Sequence, residues 1–404
     1  MQTRSPAEWR ELDKQYVWHP FTQMRDWVHE DPIVMERGEG MYLYDVDGNR
    51  YIDGHSSLWV TVHGHCHPTI VAAVEAQLRR LDHATMLGLA NPPAIELAKE
   101  LVERAPDSLG KVFYSDAGST AMEIALKMAF QYWRHRGETD RKLFITFEGA
   151  YHGDTIGSVS LGAIELFHAA FGPLLFETQR VPWPRPYRDT RFDGDPDQVR
   201  DACLDELDRA LREHGDRVAA VSAEAMVQGA DGMHVAPAGF LAGVQRLCRK
   251  HGVLLIVDEV ATGFGRTGTM FACEHENIQP DLMAVAKGLT GGVLPLAATL
   301  ASKDVYTAYL GQYEELKAFF HGHTYTGNPV ACAAALANLA LFDETDLLAQ
   351  LPAKIETFRA LLQARGWASW SASSWWPTGT PKQVGPWPTK SRNASPRRRL
   401  NAAR

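Results

Sequence analysis

Two short apolar runs organise the pattern of this chain. Residues 253–257 are Val, Leu and Ile without interruption, and they stop at two carboxylates, Asp258 and Glu259. Such a run suits a strand buried on both faces of a parallel sheet. A second run, 282–286, stops at Lys287 and is followed by Gly288. Around them, helical and strand periodicities alternate. The spacing predicts helices over 68–81, 93–104, 119–134 and 240–250, and strands over 111–114, 142–147 and 218–223. This alternation argues for an α/β fold with a largely parallel sheet and covering helices. Residues 1–60 read as irregular and aromatic-rich, with Trp9, Tyr16, Trp18, Phe21 and Trp27. The exception is a hairpin at 45–49, where Asp47-Gly48 separates two apolar stretches. The Pro-rich stretch 181–188 reads as a loop, and no internal repeat is visible.

The pattern breaks near residue 366. Residues 367–404 hold five of the eleven tryptophans, and Val384 and Leu400 are their only aliphatics beyond alanine. No core element can be built from that composition. Tryptophan has the single codon TGG. Read one nucleotide earlier with GC-rich codons, GWASWSASSWW (366–376) can give LGLMVGIELV, an ordinary buried strand. We expect a frameshift just before Trp367, to be settled by the nucleotide sequence; a natural disordered tail is the alternative.

A length of 404 residues calls for two or three domains. Net charge of −8 and a pI near 6.1 give no electrostatic case for nucleic acid. The five cysteines are scattered and never spaced C-x-x-C, which fits a reducing cytosol and argues against a disulfide frame or structural zinc. The N-terminus lacks a secretory apolar region, and no apolar run approaches a membrane span. A cytoplasmic protein without a membrane partner is the expectation.

Ligands of open α/β sheets sit outside the carboxyl ends of the strands. Asp258 and Lys287 are placed there, which suggests a bound aldehyde cofactor: the amine would take the aldehyde and the acid would pair with a ring nitrogen. A structural Asp–Lys pair at the sheet edge is the alternative. DAGSTAMEIALK (116–127) puts Gly118, Ser119 and Thr120 between a strand end and a helix start, a place suited to phosphate. It could equally be a capped helix, with Ser119 as N-cap and Glu123 in the first turn. EGAYHGDT (148–155) brings Tyr151, His152 and Asp154 to another strand end, where an aromatic could stack on a flat ring. HGHTYTGNP (321–329) offers Gly322, His323 and Thr324, whose hydroxyl could reach a phosphate. GFGRTG (263–268) is no dinucleotide fingerprint, because residues 258–262 separate it from the strand and two carboxylates would repel a pyrophosphate. His63, His65 and His67 of HGHCHP fit loop hydrogen bonding better than a metal, and no metal is expected.

In this order, these pieces resemble the class III aminotransferases of fold type I, over about residues 15–345. WHPFTQM (18–24), SSLWVTVHGH (56–65), YHGDTIG (151–157), ATGFGRTG (261–268) and FACEHE (271–276) resemble the biotin-pathway branch of that family. The resemblance implies a mainly parallel central sheet with covering helices and a small α+β domain. Residues 1–60 would form the N-terminal part of that small domain, 61–330 the large cofactor-binding domain, and 331–366 the helical start of the C-terminal small domain. It implies pyridoxal 5'-phosphate, with Lys287 on the aldehyde and moving the proton, Asp258 on the pyridine nitrogen and Tyr151 stacked on the ring. Gly118, Ser119 and Thr120 would bind phosphate, together with His323 and with Thr324 of a neighbouring protomer in a homodimer. Phe21, Leu58, Trp59, Asp154, Arg266 and Gly322 would line the substrate pocket. The implied reaction is ping-pong transfer of an amino group to 8-amino-7-oxononanoate, giving 7,8-diaminononanoate. The donor would be S-adenosylmethionine or, as Phe21 and Leu58-Trp59 resemble a Bacillus-type sub-branch, lysine. Alternatives are another class III ω-amino-acid transaminase or an inactive cofactor-binding protein. The family's C-terminal half, with an arginine for the oxononanoate carboxylate, is not recognisable in 367–404. Weak cofactor binding or aggregation, and little turnover, are therefore expected of the chain as written.

Overall fold

The computed structural model describes residues 4–364. Of these, residues 4–352 belong to one compact unit and the helical residues 353–364 to a second. The suspected frameshift and the carboxylate-binding arginine missing from 367–404 lie outside the described residues.

The strands, in chain order, are β1 (Met35–Glu39), β2 (Tyr42–Asp45), β3 (Arg50–Ile52), β4 (Leu109–Ser115), β5 (Leu143–Phe147), β6 (Thr178–Val181), β7 (Val218–Glu224), β8 (Val227–Gln228), β9 (His234–Val235), β10 (Leu254–Asp258), β11 (Leu282–Val285) and β12 (Ala297–Ser302). Seven of them make one sheet in the order β4-β12-β11-β10-β7-β5-β6. All its pairings are parallel except the two made by β12, which runs antiparallel to both β11 and β4. A mainly parallel sheet with covering helices is therefore the architecture. β7, β10 and β11 lie mid-sheet and are buried at every position, which is why they are apolar without alternation apart from Ser222 and the acids that end β7 and β10.

The helix Gly118–His135 packs on β11 and β12, burying Met122, Ile124, Ala125, Met128 and Ala129. The helices Pro196–His214 and Phe240–His251 pack together; Leu207, Leu211, Val244 and Phe240 join the core cluster that contains Val221 and Val257. Fully burying one such aliphatic side chain contributes about 1.5–3 kcal/mol. β1, β2 and β3 form a separate antiparallel sheet, in which Asp45 Oδ1 accepts from the Asp47 and Asn49 amides and closes the hairpin turn.

Two expectations need correction. Residues 1–60 are not irregular apart from the hairpin: a helix spans Pro6–Tyr16. Ser5 caps it, its hydroxyl accepting from the Glu8 amide while the Glu8 carboxylate accepts from the Ser5 amide, and Pro6 occupies its first turn. The helix at 118 does not use Ser119 as its cap: Ala117 holds that position and supplies no side-chain acceptor.

Candidate active site

Three neighbouring strands deliver the chemistry. Asp258 ends β10; its register partners are Glu224, which ends β7, and Ala284 of β11. Lys287 follows β11 by two residues and takes a left-handed conformation with φ of 46°, a strained geometry for a non-glycine residue. Strand register thus fixes one amine and two carboxylates on the same edge of the sheet.

Asp258 is buried, and each of its oxygens accepts one hydrogen bond. Oδ2 lies 2.7 Å from His152 Nδ1, and Oδ1 accepts from the Val260 amide at 2.9 Å. Carboxylate oxygens have two lone pairs each, so capacity remains for one more donor. His152 is fully buried. Burial alone would lower its pKa, but the Asp258 hydrogen bond and the charges of Asp258 and Glu224 leave it raised. The Lys287 amine sits 4.9 Å from the centre of the Trp59 ring. Burial lowers its pKa, and the Arg266 charge adds to that, against the opposing pull of Asp258 and Glu224. Glu224 is pushed up to about 7, by burial first and then by Asp258.

The helix start at Gly118 provides a cradle. The first amides of an α-helix have no intrahelical acceptor, and here no side chain caps them. The Thr120 hydroxyl instead donates to the Ala117 carbonyl at 2.7 Å and receives the Ala117 amide at 3.1 Å, bracing the turn from within. Space there is tight. A Cβ on Gly118 would lie 2.5 Å from Val260 Cγ1, and one on Gly153 would lie 2.3 Å from Ser119 Cβ.

A cavity of about 640 Å³ joins these groups; Lys287, Asp258, Tyr151, Asp154, Trp59, Gly118 and Ser119 all line it. Tyr151 donates to Asp154 Oδ2 at 2.9 Å, and its ring lies parallel to that of His168. Thr120, Phe21, Leu58, Arg266, Gly322, His323 and Thr324 do not line the cavity. Phe21 is exposed but reaches Tyr151 through Phe167, whose ring centre is 5.4 Å from that of Phe21 and 6.3 Å from that of Tyr151. Leu58 and Trp59 belong to a run of four left-handed residues, Ser56 to Trp59, with φ of 47°, 41°, 67° and 71°. Arg266 is half-buried, makes no ion pair among the described residues, and acts on Lys287 through its charge. His323 Nε2 comes within 4.0 Å of Asp116 Oδ1, and Asp116 does line the cavity; Gly322 and Thr324 are exposed. The GFGRTG stretch runs as turns and opens no helix. His63 contacts the Asn338 carbonyl and His65 contacts Asp53, so these histidines diverge. Sequence reasoning missed His152 as the partner of Asp258, and it missed Glu224. The signal for Glu224 was present: like Asp258, it is an acid that ends a strand of mostly apolar residues, here interrupted before it only by Ser222.

Residues 24–368 match the family Aminotransferase class-III. The chain belongs to that family. The match ends within two residues of the point where composition changes. The adenosylmethionine-8-amino-7-oxononanoate aminotransferase of Geobacter sulfurreducens is 53% identical over 354 residues, 88% of this chain and 78% of that protein. The crystal structure of the enzyme of the same name from Methanocaldococcus jannaschii is 42% identical, with a TM-score of 0.83, covering 89% of this chain and 80% of that one. An amine transaminase from an uncultivated Pseudomonas species, solved in its PLP-bound form, is 35% identical with a TM-score of 0.81, covering 86% and 80%. As a class III aminotransferase the chain is a pyridoxal-phosphate enzyme by family, and the site accommodates that group's needs. The cavity offers a buried amine of lowered pKa, a buried carboxylate with acceptor capacity left, an aromatic wall, and a helix start whose leading amides no side chain caps.

Proposed function

We propose that this aminotransferase makes 7,8-diaminononanoate from 8-amino-7-oxononanoate, the amine coming from S-adenosylmethionine or lysine. The observation that carries the reading is the placing of Lys287 and Asp258 on neighbouring strand ends at one cavity, in a chain half identical to relatives of that name. When bound, pyridoxal phosphate supplies an aldehyde to receive amines and a ring that delocalises the electrons of a deprotonated carbon. Asp258 would accept from the pyridine nitrogen of that group and favour its protonated form. His152 orients the Asp258 carboxylate by donating to Oδ2. Lys287 Nζ, whose neutral form burial favours, would take and return the proton at the reacting carbon. Tyr151, held at its hydroxyl by Asp154, would bound one face of the ring. The amides of Gly118, Ser119 and Thr120 would hold the phosphate, with the Thr120 hydroxyl bracing their turn. Trp59 and Asp154 bound the substrate space; Arg266, behind the cavity lining and without an ion pair among the described residues, would offer its charge to a substrate carboxylate.

Exposure of Gly322 and Thr324 supports a role for their loop in the site of a second copy, as a homodimer would require. Phe21 and Leu58, exposed beside Phe167 and Trp59, fit the rim of the substrate entrance. Among the described residues no helix is long and apolar enough to cross a membrane, in keeping with a cytoplasmic enzyme. Residues 1–60, 61–330 and 331–366 are assigned as the small-domain N-terminus, the large domain and the start of the C-terminal small domain.

A single-turnover assay tests the reading and registers even a slow chain. The full chain, loaded with pyridoxal phosphate, is mixed with 8-amino-7-oxononanoate and one donor at a time. Appearance of the mass of 7,8-diaminononanoate, lost in Lys287→Ala, is expected. Transfer to a 4-aminobutyrate-derived carbonyl but never to 8-amino-7-oxononanoate would overturn it.

A further inference from the structure

Glu224 has no task in the chemistry above, yet it is buried at the end of β7 and lines the same cavity. Its two oxygens are used differently. Oε1 accepts from the Tyr151 amide at 3.2 Å, and Oε2 accepts from the Gly229 amide at 3.0 Å. The two amides belong to separate stretches of chain. Tyr151 presents the aromatic wall. Gly229 lies against the other aromatic of the cavity: a Cβ there would stand 3.2 Å from Trp59 Cζ3 and 3.3 Å from Cη2. One carboxylate therefore ties the backbone under Tyr151 to the backbone behind Trp59.

We propose that Glu224 is a positioning residue that sets the distance between the Tyr151 and Trp59 walls, and through it the size of amine donor the site accepts. A carboxylate suits this task because it accepts through both oxygens at once. An amide offers a single acceptor and turns an N–H toward the second backbone N–H, which leaves one buried donor unpaired. The groups facing Glu224 among the described residues are His152, Asp258 and Lys287; none of them donates to its oxygens, so among those residues the two amides fix its orientation. Size selection rests on the transaminase reading, whereas the tie between the two walls does not.

Amide hydrogen exchange on the full chain separates the two. In Glu224→Gln, exchange at one of the two amides, Tyr151 or Gly229, is expected to accelerate at least about tenfold, while peptides over Leu254–Asp258 keep their protection. Wild-type protection at both amides would overturn the tie, whatever the activity. If Leu254–Asp258 also loses protection, the comparison passes to Gly229→Ala, which leaves the carboxylate intact and presses on Trp59 instead. The ratio of kcat/KM for a large and a small amine donor should shift by about tenfold in either variant, equivalent to roughly 1.4 kcal/mol. An unchanged ratio beside faster exchange overturns the size-selecting role. Faster exchange in a chain that transfers no amine from any donor leaves the tie standing and sinks the transaminase reading instead.

Discussion

A tight contact at the first residue of the phosphate cradle makes a quantitative prediction. In Gly118→Ala, the new methyl would stand 2.5 Å from Val260 Cγ1 and 3.0 Å from Cγ2. Carbon atoms pack best at about 3.5–4.0 Å, so roughly 1 Å of displacement must be found. Val260 follows directly on Asp258 and Glu259, both buried, and the helix behind Gly118 is anchored on β11 and β12. Neither side yields freely. Overpacking of this kind costs about 1–3 kcal/mol. If the cost falls on the geometry of the leading amides, pyridoxal phosphate should bind about fivefold to a hundredfold more weakly, at about 1.4 kcal/mol per tenfold. Val260→Ala removes both Cγ atoms, so the double variant should regain most of the loss. A double-mutant cycle should then give a coupling of about 1–3 kcal/mol. The assay is titration of the apo-chain with pyridoxal phosphate, followed by tryptophan fluorescence. Affinity of Gly118→Ala within twofold of wild type, or no recovery in the double variant, would refute the steric argument.

Lys287→Ala should abolish the visible band of the bound cofactor and cut turnover by at least about a hundredfold. Because burial lowers the Lys287 pKa, the rate of cofactor uptake should rise with pH to a midpoint below the ordinary lysine value near 10.4; a midpoint at or above it contradicts the burial argument. Arg266→Ala should raise KM for carboxylate-bearing substrates by about tenfold or more, at roughly 1.5–3 kcal/mol per charged hydrogen bond, with little effect on a simple diamine. Glu224 also makes stability pH-dependent. Its pKa is about 7 in the fold against an ordinary 4.5, so between those values the folded chain keeps a proton that the unfolded chain has lost. Stability from this group therefore falls as pH rises through that window, by at most about 3 kcal/mol at about 1.36 kcal/mol per pH unit. Denaturant titrations across pH 4.5–7 should show Glu224→Gln losing that slope.

Much of the sheet was legible because mid-sheet strands are buried on both faces and read as unbroken apolar runs that end in charge. The acid of β10 and the lysine beyond β11 were found that way. β12 was not: Ala-Ala-Thr-Leu-Ala-Ser is buried by its neighbours, and small residues leave no hydrophobic signature. β6, Thr-Gln-Arg-Val, is a polar edge strand with no such run to read. The helix Pro196–His214 was overlooked although Val199, Cys203, Leu207, Ala210 and Leu211 trace a helical stripe, because charged residues crowd the positions between. Serine favours the cap position, which points to Ser119; the chain instead places the cap two residues earlier, at Ala117, and leaves the amides available. The hydrogen bond between His152 and Asp258 spans 106 residues of sequence and has no local signature.

The left-handed run at Ser56 to Trp59 places a liability beside the reaction chamber. At roughly 1–2 kcal/mol for each such residue, four in succession burden the fold by an amount comparable with the net stability of a whole domain. A glycine at Ser57 or Leu58 would ease that load and slacken the presentation of the indole over Lys287 in the same stroke. Robustness and discrimination therefore pull against each other at this corner of the molecule, and laboratory evolution toward bulkier amines should find its first gains, and its hardest compromises, there.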